Sequence, residues 1–383
     1  MKLALSILCE NPLRRTGLTT TYHEIVARGL KLCPDVSWVV FVGPTQPWRV
    51  EDPRVEVVRD FPANDRLKQR LIADHFQVPA AARARGADAM ISTGFVPVRK
   101  CLPVVMHIFS LQHLDKTNQV GFARACYRNW LMKYSWPKAD LIITNSQFAK
   151  SQILSVSAAF GDRLVQAYEG LQHEQFNLHA EPDEAEKVQA KFNFPPGYLL
   201  WISNFYPYKQ APLLLAAYAR LDAETRRAHP LVMVGGDWEN ELNRCREQVQ
   251  TLGIATDVKF LGWVGDEWLA PLYRHARAFV LASREETFGR CVIEAMACGT
   301  PVVVNDIPIM QEVTAGHAVI VDFEDAAKSG DALRQALTDE PLLARLRSGG
   351  LRRAQDFTFE KFAAERLQAI RDFLARRKAG QNH

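Results

Sequence analysis

Short apolar runs alternate with helical patterns along almost the whole chain, and the rhythm occurs twice. In the first half the runs Leu3–Leu8, Trp38–Val42, Val55–Val58, Ala89–Ser92, Val104–His107 and Leu141–Thr144 read as strands. Helical patterns at Thr20–Leu32, Arg66–Arg83, Phe122–Tyr134 and Ser146–Val156 lie between them. The second half repeats the order, with strands at Tyr198–Ser203, Leu231–Val234, Val258–Leu261, Ala278–Ala282, Val302–Asn305 and Ala318–Val321. Such alternation is the mark of parallel α/β sheets. A chain of 383 residues is long enough for two of them. The polar segment from Gly170 to Pro196 separates the halves and holds a further helix, Asp183–Phe192. The reading is therefore two Rossmann-like domains, 1–170 and 171–356.

Composition narrows the function classes. Hydrophobic residues make up 48% and charged residues 23%, the balance of a soluble globular protein. A net charge of +4 is too small to argue for nucleic acid, yet it suits an anionic ligand or membrane surface. The seven cysteines are scattered, with no close Cys-x-x-Cys pair, so free thiols in a reducing cytosol fit better than disulfides or zinc. The apolar start Met1–Cys9 reads as a buried first strand rather than a secretory signal, and no stretch approaches the roughly 18 apolar residues of a membrane span. The expected location is cytoplasmic.

The segment Ser283–Val303 carries the most chemistry. It leaves a strand, turns at Gly289 and opens a helix at about Cys291–Ala297. The free N–H groups of a helix start bind anions, so a phosphate fits over Gly289, Arg290 and Cys291. Glu286 stands in the loop before the glycine and Glu294 on the first turn of the helix. Carboxylates accept paired hydrogen bonds from vicinal hydroxyls, which sugars and riboses supply.

The wording Ser-Arg-Glu-Glu-Thr-Phe-Gly, followed by Glu-Ala-Met-Ala-Cys-Gly-Thr-Pro-Val-Val, resembles the signature of the family 4 retaining glycosyltransferases of the GT-B fold. The resemblance implies two domains facing across a cleft, with the C-terminal residues 357–383 returning to the first. It implies that Glu286 orients hydroxyls of a donor sugar, that Glu294 binds the ribose, and that Phe288 and Gly289 belong to the donor site. Trp201–Lys209 resembles the family's diphosphate-holding element, with Lys209 on its lysine and Asn204 where it has an arginine. Asn204 brings no charge, and Arg290 is the expected substitute.

Other matches are looser. Gly17, in the loop after the first strand, resembles the glycine loop that approaches the donor phosphate. Pro103–His113 resembles the stretch with a histidine near the reacting sugar, where His107 and His113 compete. Gly170–Phe176, Val258–Val264 and Ala139–Ser146 also resemble family segments. Phe122–Lys138 mixes basic and aromatic residues, a pattern that suits peripheral contact with an anionic membrane as well as a packed helix.

The function these readings imply is transfer of a sugar from a nucleotide-sugar donor to a glycan or lipid-linked acceptor in surface polysaccharide synthesis. No Asp-x-Asp-type site is evident, so metal independence and no cofactor beyond the donor are expected. A sugar-nucleotide epimerase, a phosphorylase and a catalytically weak nucleotide-binding protein on the same scaffold are the alternatives.

Overall fold

The computed structural model describes residues 1–10, 17–109, 126, 130–238 and 240–380. Two compact units divide the chain: Met1–Gly170 with Phe359–His383, and Leu171–Thr358.

Among the described residues, the first unit holds β1 (Lys2–Ser6), β2 (Ser37–Phe41), β3 (Val55–Val58), β4 (Ala89–Thr93), β5 (Val104–Ile108), β6 (Leu141–Thr144) and β7 (Leu164–Gln166). Their order is β3-β2-β1-β4-β5-β6-β7, with every pairing parallel. The second unit holds β8 (Tyr198–Ile202), β9 (Leu231–Val234), β10 (Val258–Gly262), β11 (Ala276–Leu281), β12 (Val302–Asn305) and β13 (Val319–Val321). Its order is β10-β9-β8-β11-β12-β13, again all parallel. Each sheet starts at its middle, runs to one edge and then returns to the other side. The reversal opens a crevice beyond the carboxyl ends of β1 and β4, and another beyond β8 and β11.

The last helix, Phe359–Gly380, belongs to the first unit. Phe359, Phe362, Leu367, Ile370 and Leu374 join Leu3, Leu5, Ile25, Val40, Val105 and Ile143 in one apolar layer. Each large side chain buried there contributes about 1.5–3 kcal/mol. One charge lies in that layer. Arg366 is 1% exposed. Its guanidinium donates to the carbonyls of Ala167 (2.8 Å) and Tyr168 (2.9 Å), and it covers the Phe362 ring at 3.7 Å. Burial pulls its pKa down to about 10, against the opposing pull of Glu169.

Two local readings need correction. The pattern Arg66–Arg83 is not one helix. It breaks into a short helix Leu67–Ile72, a π-turn Ala73–Gln77 and a helix Val78–Ala84. Pro79 lacks an N–H and its ring crowds the carbonyl four residues back, so a wider turn precedes it. Strand β7 has only three residues, Leu-Val-Gln, too short to stand out as an apolar run.

Candidate active site

The second unit assembles its site at the carboxyl ends of β8 and β11. Beyond β8 the chain is tied to the loop after β9. Ser203 N–H donates to Val234 O (2.9 Å) and Phe205 N–H to Gly236 O (3.0 Å). The approach is so close that a Cβ at Gly235, whose φ is 147°, would lie 1.7 Å from Ser203 O. Only glycine fits there. Asn204 accepts the Gly236 N–H on Oδ1 at 3.0 Å, so its amide oxygen is committed to a loop clamp. A short turn, Pro207–Lys209, follows. Tyr208 O then accepts the Arg284 N–H at 2.9 Å, which fastens this loop to the one after β11.

That fastening brings Lys209 to Glu286. The ammonium lies 2.6 Å from Oε1, and the two side chains are only 12% and 8% exposed. Burial alone would lower the lysine pKa. Burial is the largest single influence, but the Glu286 carboxylate, with Cys291 and Tyr208 adding to it, holds the ammonium above its ordinary value. Removing either partner would strand the other charge out of water.

Gly289 turns the chain from this loop into the helix Arg290–Ala297. Its φ of 86° and ψ of 50° are left-handed, and a Cβ would meet the Met310 methyl at 2.5 Å. The geometry selects glycine twice over. Phe288, 2% exposed, packs edge-on against Phe357 at 5.5 Å and anchors the turn. A glycine-started helix of this kind is the local geometry that suits an anion, because the first N–H groups of a helix look beyond the helix for acceptors. Burial pushes the Cys291 thiol pKa up, and nearby Glu286 adds to it, so the sulfur is no nucleophile at neutral pH.

Glu294 sits at the start of the second helical turn rather than on the first. Tyr273 Oη donates to its Oε2 at 3.1 Å. Burial raises the Glu294 carboxyl pKa, while Arg290, one turn earlier, draws it the other way. Arg290 therefore lies within electrostatic reach of the glutamate.

The first unit places its expected residues at its own carboxyl ends. Gly17 begins the helix Gly17–Leu32, and the preceding residues 11–16 lie outside the described residues. His107, on β5, is 1% exposed, and among the described residues neither ring nitrogen has a hydrogen-bond partner. Its ring stacks on Tyr22 at 5.9 Å and meets the edge of Phe109 at 5.6 Å. Burial first, and the Arg366 charge second, hold its pKa well below the usual histidine value. His107 is thus a neutral, enclosed imidazole. His113, and residues 122–125 and 127–129 of the Phe122–Lys138 segment, lie outside the described residues. Among the described residues, no group of three or more His, Cys, Asp or Glu is placed to hold a metal, and no helix is long and apolar enough to cross a membrane.

Over 98% of its length the chain superposes on sucrose-phosphate synthase from Thermosynechococcus elongatus, covering 99% of that protein, with a TM-score of 0.76 and 20% identity. The fold is that of the GT-B glycosyltransferases. A similar GT-B superposition, with a TM-score of 0.70 and 17% identity, relates it to Anabaena HepE in complex with UDP and glucose. It covers 97% of this chain and 100% of HepE. Within the second GT-B unit, residues 183–353 match the family described as glycosyl transferases group 1. In sequence the chain is 30% identical over 251 residues to O-antigen chain mannosyltransferase B of Escherichia coli. That match takes in 65% of this chain and 65% of the relative, so the chain spans just under two thirds of its length.

The sequence reading did not find Tyr273, Gly235 or Arg366. Tyr273 lies in an ordinary amphipathic helix, Asp266–Arg274, and meets Glu294 only through the fold. Gly235 follows an apolar strand, a sign of close backbone approach, but its partner at Ser203 is distant in sequence.

Proposed function

We propose that the protein is a retaining glycosyltransferase that moves a hexosyl group from a nucleotide-sugar donor to a glycan or lipid-linked acceptor in surface polysaccharide synthesis. The observation that carries this reading is the convergence, at one switch point, of Lys209 with Glu286 and of a glycine-started helix bearing Glu294. A cation and a helix N-terminus suit a diphosphate, and two carboxylates suit sugar and ribose hydroxyls. The similarity to an O-antigen mannosyltransferase and to a fold seen with UDP and glucose agrees with it.

In this reaction the bond from the anomeric carbon to the donor phosphate breaks, and its electron pair leaves with the diphosphate. The acceptor hydroxyl oxygen bonds to the anomeric carbon from the same face and gives its proton to a phosphate oxygen. The transition state is oxocarbenium-like, with negative charge growing on the leaving group. Lys209 and the N–H groups of Gly289–Cys291 stabilise that charge, with Arg290 adding to the local positive potential in place of the arginine missing at Asn204. Glu286 orients the sugar and Glu294 the ribose. No protein nucleophile and no metal are needed.

Peripheral contact with an anionic bilayer is part of the reading for the first unit. Tyr134 (51% exposed) and Trp130 (37%) flank Lys133, and His75 brings Trp130 within 6.2 Å of the π-turn that carries exposed Phe76. Sedimentation with vesicles containing anionic lipid, and not with neutral ones, is the check.

The activity test is incubation with UDP-, GDP- and ADP-linked hexoses plus oligosaccharide acceptors, following nucleotide release and the anomeric configuration of the product by NMR. Acceptor-dependent release with retained configuration supports the proposal. Turnover without acceptor would indicate an epimerase, and nucleotide binding without turnover a binding protein.

A further inference from the structure

Tyr273 is built to hold one group. Its side chain is 0% exposed. Phe176 and Phe279 pack against the ring at 6.1 and 5.5 Å, both near edge-on. Its backbone carbonyl is fixed by the Thr300 hydroxyl at 2.6 Å. The ring is therefore packed on its sides and its backbone is tied. Phenylalanine would fill the same space without burying a hydroxyl, so the hydroxyl must find a partner or cost stability. Its partner is Glu294 Oε2, at 3.1 Å. Burial and the neighbouring Glu294 carboxylate hold the phenol protonated, so it donates.

A carboxylate has about four lone-pair positions. Tyr273 takes one, on Oε2, and thereby fixes the rotation of the carboxylate plane. The remaining positions, including both on Oε1, are left for other donors. Two hydroxyls on adjacent carbons can occupy them only if that plane is fixed, because paired hydrogen bonds demand orientation as well as charge.

We propose that Tyr273 is the positioning residue that aims Glu294 at the vicinal hydroxyls of the donor ribose, and so sets the preference for ribonucleotides over deoxyribonucleotides. The proposal rests on the reading of Glu294 as the ribose-binding carboxylate. Tyr273 touches no substrate itself and acts through the glutamate.

The test is calorimetric titration of UDP against 2′-deoxy-UDP, and GDP against 2′-deoxy-GDP, on wild type, Tyr273→Phe, Glu294→Ala and the double variant. Wild type prefers the ribo form. Tyr273→Phe binds it roughly tenfold more weakly, about the weight of one hydrogen bond to a charged group, and loses most of the preference. The double variant binds no more weakly than Glu294→Ala alone, since the two act as a unit. A general loosening of the fold would weaken both forms alike and leave the preference standing. A Tyr273→Phe protein that keeps the wild-type preference overturns the proposal, as does a double variant whose losses add. If wild type shows no preference, the ribose reading of Glu294 has failed and the role of Tyr273 goes with it. Should Tyr273→Phe fold poorly by circular dichroism, Tyr273→Met, which also lacks the hydroxyl, takes its place. Like phenylalanine, methionine at 273 leaves Glu294 without the hydroxyl donor; loss of most of the ribo preference supports the proposal, and a preference kept at the wild-type level overturns it.

Discussion

Lys209 Nζ lies 2.6 Å from Glu286 Oε1, across 77 residues of sequence, with both side chains almost out of water. Neither charge is stable there alone. Lys209→Ala should cost about 3–5 kcal/mol, as breaking buried pairs does. Replacing both, as Lys209→Met with Glu286→Leu, should restore most of that stability while abolishing sugar transfer. Urea unfolding and nucleotide-release assays on the three proteins check this. A double variant that remains active would remove the pair from the donor site.

Gly289→Ala is expected to be costly twice. The left-handed turn carries strain for any side chain, and the added methyl meets Met310. Roughly 1–3 kcal/mol of stability should be lost, with nucleotide affinity down by at least about tenfold as the helix start shifts. Pairing it with Met310→Ala should recover part of the stability, because the clash is relieved, but little of the affinity, because the backbone strain remains.

His107 gives a pH dependence of known sign. Its folded pKa lies well below the unfolded value of 6.5. Below about pH 6.5 the unfolded chain takes up a proton that the folded one refuses. Stability is therefore full above that value and falls as the pH drops, by up to about 1.4 kcal/mol per pH unit for this group. His107→Gln should flatten that slope between pH 6.5 and 5. Urea midpoints at half-unit steps read it, and identical slopes would contradict the enclosed, neutral imidazole.

Leu367 tests the returning helix. It is 1% exposed in the layer shared with Leu3, Leu5 and Ile25. Leu367→Ala should cost about 2–5 kcal/mol of first-unit stability. Nucleotide affinity at 25 °C should stay within about twofold, since the site of the second unit does not depend on that layer.

Much of the architecture was legible because parallel strands buried on both faces are apolar throughout, and runs such as Val302–Asn305 and Val104–His107 show this plainly. Glycine at 289 and the helix start after it were legible because turn chemistry is local. What could not be read depends on distance or on short segments. The Tyr273 to Glu294 hydrogen bond joins a helix face to a helix start through packing, with no local signal. Asn204 looked like a weakened phosphate ligand, yet its oxygen is held by Gly236 N–H, a pairing that needs β8 and β9 side by side. The π-turn at Ala73–Gln77 was hidden because Ala-Asp-His-Phe-Gln contains no glycine or proline to interrupt a helical pattern, and only Pro79 marked the break.

The central claim is that the carboxyl ends of β8 and β11 bind a nucleoside diphosphate. Its most direct test is titration calorimetry of UDP, GDP and ADP without added metal, on wild type and on Glu294→Ala. One nucleotide binding to wild type, and binding at least about tenfold more weakly to the variant, is the predicted result. Binding by none of the three, or equal affinity in the two proteins, would contradict it.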